Sequence, residues 1–265
     1  MSKYDLQGKV AIVTGGAGTA HGTGRCIALE YARAGANVVI ADRSSEKLDE
    51  VASEIKALGR EALIVVTDIT VPEQVDNMIK QTVDKFGRID ILVNNVGGGA
   101  FNKPENVSPA EWVDHITLNL NATFFCCAAA GRVMIEQKGG KIINISSTTS
   151  IKGDPTLAPY ASAKAGVNTL TKSLGLAWAE HNINVNCIAP GKVELPDHPL
   201  EGIAEEEYKK QKEAETNADG TPALPLMLPA KPEDIAHLAL FLGSAASDLI
   251  TGEIMVIRGA EWASV

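Results

Sequence analysis

The sequence predicts an α/β fold: a doubly wound parallel sheet held between two layers of helices, an α/β/α sandwich. Three observations carry that expectation. Short apolar runs alternate with amphipathic stretches along the whole chain. The strand candidates are apolar at every position rather than at every second one, as suits strands buried on both faces. The β-α-β-α order requires right-handed crossovers, which lay helices on both sides of the sheet. No interdomain linker and no repeat of solenoid period breaks the pattern, so residues 1–265 are expected to form one domain.

The elements follow in order. Val10-Ala11-Ile12-Val13 is the first strand candidate, and residues 25–34 read as a helix closed by Gly35. Val38-Val39-Ile40-Ala41 is the second strand, followed by a helix over residues 46–58 closed by Gly59. Glycine closes helices because it reaches the left-handed conformation without steric cost. Residues 62–66 form a third apolar run, 72–86 an amphipathic helix and 89–93 a fourth strand. A long helix is expected after Ser108, then a strand at 141–145 and a helix from about 160 to 180. Residues 183–188 are a sixth strand, 232–242 a helix and 253–257 a last strand. Residues 192 to about 229 depart from this rhythm, with several prolines and an acidic-basic run between Glu201 and Lys210. Connections of that length in a compact domain are functional or mobile, and this one is expected to be a lid over a ligand. The charge run itself reads as a solvated helix face.

Composition narrows the partners. A formal net charge of -9 disfavours nucleic acid and anionic membranes, which attract basic surfaces. The N-terminal stretch Met1-Ser2-Lys3-Tyr4-Asp5-Leu6-Gln7-Gly8 has no apolar core flanked by basic residues, so no signal peptide is expected. No uninterrupted apolar run reaches the roughly 18–20 residues of a membrane span. A soluble, cytoplasmic protein with no nucleic-acid or membrane partner follows as the expectation. Cys26, Cys126, Cys127 and Cys187 show no metal-ligand spacing and read as small buried apolar residues, and no metal is expected.

The stretch from Thr14 through Gly15, Gly16, Gly18, Gly22 and Gly24 to Arg25 lies between the first strand and the first helix. Glycines there permit a tight turn and close approach of the backbone to a pyrophosphate, and the helix N-terminus supplies free N–H groups and a positive dipole end. Asp42 ends the second strand, eighteen residues after Gly24. A carboxylate in that place accepts both adenosine-ribose hydroxyls and repels a 2′-phosphate, which favours NAD over NADP. Taken alone, an Asp after a strand is also a plain turn former. Arg43 and His21 stand close enough in sequence to soften the preference.

Tyr160 and Lys164 are four residues apart at the start of a helix candidate, Tyr160-Ala161-Ser162-Ala163-Lys164, and so share one helical face. An ammonium beside a phenol is expected to lower the phenol pKa toward working pH, fitting it to exchange a proton with an alcohol or ketone oxygen. Ser147, thirteen residues before Tyr160, follows the fifth strand and is placed to hydrogen-bond that oxygen.

With these pieces together, the chain resembles the short-chain dehydrogenases/reductases from about Lys9 to Gly259. The matching residues are the glycine turn, Asp68 after the third strand, Asn94-Asn95-Val96-Gly97 after the fourth, and Asn119 in the following helix. Ser146-Ser147, Tyr160 with Lys164, Pro190-Gly191 and Thr251-Gly252 continue the match. The resemblance implies a Rossmann-type sheet of seven parallel strands and an NAD-dependent oxidoreductase acting on a secondary alcohol or ketone. It implies that Ser147 orients the substrate oxygen, that Tyr160 exchanges the proton, and that Lys164 lowers the Tyr160 pKa and binds the nicotinamide ribose. It implies that Asn119 holds a proton-relaying water. Along the cofactor it places Gly15, Gly22, Thr23, Gly24, Asp42, Arg43, Asp68, Ile69, Asn95, Gly97, Pro190, Gly191 and Val193. It implies a homo-oligomer, tetramer or dimer. Family position further nominates Thr149, Asp154, Leu157, Val193 and Leu195 as substrate-lining residues.

The chain departs from the family pattern at several points. Six residues separate Gly15 from Gly22, an apparent insertion of three. Val96 stands where the family has alanine, Leu195 where a threonine commonly contacts the nicotinamide amide, and Arg258-Gly259-Ala260 where an acidic residue and two glycines are usual. Two other enzyme readings are a cis-dihydrodiol carboxylate dehydrogenase and a 3-oxoacyl reductase. A nucleotide-binding regulator or inactive partner subunit on the same fold is the non-enzymatic reading, against which the intact Ser147, Tyr160 and Lys164 set argues.

Overall fold

Every residue of the first strand, β1 (Val10–Thr14), is buried. Alternate side chains leave a strand on opposite faces, so a strand buried throughout must be covered on both. The computed structural model, which describes residues 2–16, 22–45, 47–194 and 229–259, provides that cover. Six further strands join β1 in one sheet: β2 (Asn37–Asp42), β3 (Ala62–Val66), β4 (Ile91–Asn94), β5 (Gly140–Ile145), β6 (Ile183–Pro190) and β7 (Ile254–Ile257). Their order is β3-β2-β1-β4-β5-β6-β7, and all pairings are parallel. This is the doubly wound seven-stranded sheet expected.

The helices are α1 (Thr23–Arg33), α2 (Leu48–Ala57), α3 (Pro72–Phe86), α4 (Pro109–Ile116), α5 (Ala122–Gln137), α6 (Thr149–Lys152), α7 (Ala158–Ala177) and α8 (Pro232–Gly243). On one face of the sheet Ala11, Val13, Val38, Ile40, Ile91 and Val93 pack with Ile27 of α1, Val51 and Ile55 of α2, and Ile235 and Ala239 of α8. On the other face Val10, Ile12, Val39, Leu92 and Val185 meet Val75 and Met78 of α3 and Cys126, Ala130 and Met134 of α5. Each such apolar side chain withdrawn from water contributes roughly 1.5–3 kcal/mol before entropy is counted.

The chain leaves β1 toward β2 and β3, then returns past β1 to build β4 through β7. The loops at the carboxyl ends of β1 and β4 therefore diverge. Parallel sheets of this kind hold ligands in the crevice opened there.

Several elements differ from expectation. The helix expected after Ser108 is interrupted at Thr117–Asn121 by a wider π turn that contains Asn119. Strand β4 begins at Ile91 because the backbone of Ile89 is taken by a side chain: its N–H donates to Gln137 Oε1 and its carbonyl accepts from Gln137 Nε2. The helix expected over 160–180 runs instead from Ala158 to Ala177 and gives way to a 3-10 turn, Ala179–His181. The continuous helical stretch Pro109–Gln137 is long and apolar enough by length and composition to cross a membrane, but half of its most apolar part is buried against this fold. All four cysteines are free and buried.

The expected lid lies mostly outside the described residues, as do His21, Leu195, Ala260 and the charge run. Its two ends are visible and adjacent. Val193 bridges Ala230 in parallel, Glu194 N donates to Ala230 O at 2.9 Å, and Ala230 N donates to Lys192 O at 3.0 Å.

Candidate active site

The turn after β1 explains its glycines by contact. Gly15 has φ +68°, and its N–H donates to Ala41 O at 2.8 Å. A Cβ on Gly24 would stand 2.1 Å from Gly15 O, so only glycine lets the first turn of α1 press onto the end of β1. Gly22 is the N-cap and Thr23 the first residue of α1; no side chain caps the helix and no acidic residue sits in its first turn. The unsatisfied N–H groups and dipole of such a terminus favour an anion.

A cleft of about 230 Å³ opens at the carboxyl ends of β1 to β4. Of the residues expected along the cofactor, Gly15, Asp42, Arg43, Asp68, Ile69, Asn95 and Gly97 line it. Thr67, Val96 and Leu118 line it as well and were not anticipated there. The signal available for Thr67 and Val96 was adjacency to Asp68 and Asn95; Leu118 arrives from the π turn, which no local pattern announces. Asp42 Oδ1 accepts from its neighbours' backbone, Arg43 N at 2.7 Å and Ser44 N at 3.5 Å, so the carboxylate also serves as a turn former. Asp68 Oδ1 accepts from Thr70 Oγ1 at 2.6 Å and Thr70 N at 2.9 Å. The Thr70 hydroxyl, then its N–H and the Arg43 charge, hold the Asp68 carboxyl below its ordinary pKa against the opposing effect of burial. Asn95 Nδ2 donates to the carbonyls of Thr14 and Gly15 at 3.2 and 3.3 Å, tying the β4 loop to the glycine turn.

Pro190, Gly191 and Val193 lie outside that cleft, at the end of β6. Thr148 N donates to Pro190 O at 2.8 Å, which joins them to the segment carrying Ser147.

Beside the cleft, β5 delivers Ser146 and Ser147, α7 delivers Tyr160 and Lys164, and the π turn delivers Asn119. Lys164 is fully buried, its ammonium donating to Ile145 O at 2.8 Å and standing 5.7 Å from the centroid of the Tyr160 ring. Asn119 is buried too: its Nδ2 donates to Gly98 O and His115 O, and its Oδ1 accepts from Gly98 N, all at 3.0 Å. A Cβ on Gly97 would come within 2.7 Å of both Asn119 Oδ1 and Lys164 Nζ, so this glycine is what lets the cleft wall meet both side chains.

One expectation is corrected. Lys164 was expected to lower the Tyr160 pKa. Burial instead raises the Tyr160 pKa, with the Ser147 hydroxyl opposing that rise. Burial also lowers the Lys164 pKa, to about 8, so its ammonium is held at a cost even where it is charged. The four-residue spacing of Tyr160 and Lys164 gave a shared face; it did not give the depth of Lys164.

Comparison with known proteins fits this geometry. A family model described as short chain dehydrogenase matches residues 9–199. The (2S)-[(R)-hydroxy(phenyl)methyl]succinyl-CoA dehydrogenase subunit BbsD of Thauera aromatica is 38% identical over 254 residues, covering 96% of both chains. The 3-oxoacyl-[acyl-carrier-protein] reductase FabG of Thermotoga maritima is 34% identical, over 96% of this chain and 98% of its own. The crystal structure of a short-chain type dehydrogenase/reductase from Mycobacterium marinum superposes with TM-score 0.83 at 34% identity and 98% coverage of each chain.

Proposed function

The chain belongs to the short-chain dehydrogenase family of oxidoreductases, and from that premise we propose that it interconverts a secondary alcohol and a ketone with NAD as cofactor. The observation that carries this reading is the meeting of buried Lys164 and buried Asn119 at Gly97, with Tyr160 packed against Gly99 and Ser147 alongside it, at the rim of a cleft lined by Asp42.

The cleft suits a dinucleotide in its donor set. The open N-terminus of α1 at Gly22 and Thr23, behind the Gly15–Gly24 contact, would hold the pyrophosphate. Asp42 would accept the adenosine-ribose hydroxyls, and its charge favours NAD over a 2′-phosphate. Among the described residues lining the cleft, Arg43 is the feature favouring NADP. Asp68 and Ile69 would lie against the adenine, Asn95 and Gly97 along the adenosine side, and Pro190, Gly191 and Val193 toward the nicotinamide end. When bound, the nicotinamide exchanges a hydride with the carbinol carbon of the substrate.

The chain's own residues then manage the oxygen. Ser147 donates a hydrogen bond to it. Tyr160 gives that oxygen its proton as the phenol in ketone reduction and, as the phenolate, takes it back in alcohol oxidation, burial favouring the phenol form. Lys164 holds the nicotinamide ribose and, with Asn119, refills the proton of Tyr160 through water. The names of the Thauera and Thermotoga relatives support a 3-oxoacyl or 3-hydroxyacyl thioester as the first substrate class to try. The lid, an oligomeric assembly and residues 1–265 acting as one domain remain parts of this proposal.

The test is absorbance at 340 nm with NAD and NADP in parallel, across secondary alcohols, cyclic alcohols, cis-diols and 3-hydroxyacyl thioesters. Tyr160→Phe is expected to lower turnover by roughly 10²–10⁴-fold while NADH still binds. Turnover that survives this change removes Tyr160 from its role, and signal with NADP alone overturns the cofactor assignment.

A further inference from the structure

A hydroxyl has one proton to donate and two lone pairs that accept. The Ser147 hydroxyl has both acceptor positions engaged by one residue: Thr149 N donates to Ser147 Oγ at 3.3 Å, and Thr149 Oγ1 donates to it at 3.1 Å. With its lone pairs taken, Ser147 Oγ keeps only its proton for any other partner. Such a hydroxyl can act toward the cleft only as a donor, which is the polarity that the oxygen of a ketone or an alkoxide needs.

The backbone of Ser147 is fixed from the other side. Ser147 O accepts from Ser150 Oγ at 2.5 Å, and Ser150 Oγ in turn accepts from Asn168 Nδ2 at 2.8 Å. Ser146 Oγ donates to Lys164 O at 3.1 Å. Asn168 stands one helical turn beyond Lys164 on α7. The helix that carries Tyr160 and Lys164 thus also clamps the peptide that carries Ser147.

We infer that Thr149 is a positioning residue that occupies both acceptor sites of Ser147 and so fixes the serine as a hydrogen-bond donor toward the substrate oxygen. This rests on the proposed role of Ser147. It also moves Thr149 from the substrate-lining role nominated by family position to a role exerted through its neighbour. The backbone N–H bond is a common local turn and does not depend on the Thr149 side chain. The hydroxyl bond is the informative one, because it belongs to the side chain and can be removed alone.

Thr149→Val removes Oγ1 and keeps the branched shape. Its first readout needs no substrate. In protein labelled with ¹³Cζ-tyrosine, the Tyr160 resonance, assigned by its loss in Tyr160→Phe, reports phenol ionisation. A Ser147 held as donor stabilises the phenolate. Thr149→Val is therefore expected to raise the Tyr160 midpoint by roughly 0.5–1 pH unit, Ser147→Ala to raise it at least as far, and Thr149→Ser to restore it. The second readout is turnover on the substrate found by the absorbance panel. There Thr149→Val should lower kcat roughly 3- to 10-fold with KM within about twofold, and should add nothing in the Ser147→Ala background. A Tyr160 titration in Thr149→Val that superposes on that of the unmodified protein overturns the inference. So does a full additional loss of turnover in the double variant. If Ser147→Ala itself leaves both the Tyr160 midpoint and turnover unchanged, it is the role of Ser147 that fails.

Discussion

Lys164 concentrates the tension between stability and function in one side chain. Its ammonium is buried and donates to Ile145 O at 2.8 Å, and burial pulls its pKa from 10.5 to about 8. A cation whose folded pKa is depressed binds its proton less well in the fold than in the unfolded chain. Below pH 8 both states are charged and the fold bears the full penalty, on the order of 3 kcal/mol. Between pH 8 and 10.5 the folded lysine is neutral while the unfolded one still holds its proton, so this group's contribution rises with pH. Lys164→Met keeps the volume and removes the charge. Without nucleotide, the variant is expected to be more stable than the parent at pH 7, with that advantage shrinking toward pH 10.5, and to be catalytically dead. Denaturant unfolding at stepped pH checks this; an advantage that does not change with pH would mean that burial leaves the Lys164 pKa at its unfolded value.

At the level of elements, the sheet separates stability from chemistry by its two ends. The cleft occupies the carboxyl ends of the strands. At the opposite end the buried Asp90 carboxylate, just before β4, accepts from Val10 N at 3.0 Å, Lys9 Nζ at 3.1 Å, and Arg88 Nε and Nη2 at 2.7 and 2.6 Å. It pins the start of β1 to the start of β4. Asp90→Ala leaves a buried N–H and a cation pair without their acceptor, and is expected to destabilise the fold by about 3 kcal/mol with the cofactor KM unchanged. Loss of cofactor affinity at full stability would contradict that division of labour. The same contrast explains what was legible in the sequence. Strand β3 and helix α3 fall on the residues that periodicity assigned, Ala62–Val66 and Pro72–Phe86, because their apolar patterns are complete in themselves. Helix α6 is four residues long, too short for any period to register. The π turn of Asn119 keeps helical side-chain spacing on either side and so is silent in sequence. At the site, Tyr160, Lys164 and Ser147 were legible as a spacing. The Thr149 contact and the burial of Lys164 were not, since both depend on how α7 meets β5.

The whole molecule carries a second titration that opposes Lys164. Burial raises the thiol pKa of Cys26 to about 11 and of Cys127 and Cys187 to about 12, and pushes Cys126 and the Tyr31 phenol higher still. These groups lie in α1, α5 and β6, against both faces of the sheet, so ionising them strikes both layers at once. A group with a raised folded pKa holds its proton more tightly in the fold. Its stabilisation is complete below the ordinary thiol pKa near 9 and is lost as the pH climbs toward the folded value. Each thiol thereby contributes a slope of about -1.4 kcal/mol per pH unit above pH 9. Several thiols acting together outweigh the single rising contribution of Lys164. Stability in the presence of reductant is expected to fall steeply from pH 9 to 10.5. Cys127→Ala isolates one share of that fall. The lost packing of the sulfur shifts its curve down at every pH alike, whereas the lost thiol ionisation makes the curve shallower above pH 9 by about 1.4 kcal/mol per unit. Denaturant midpoints at pH 7.5, 9 and 10.5 separate the two effects, because packing moves the offset and only the buried thiol moves the slope. Curves that stay parallel throughout would assign the alkaline instability to groups other than these cysteines.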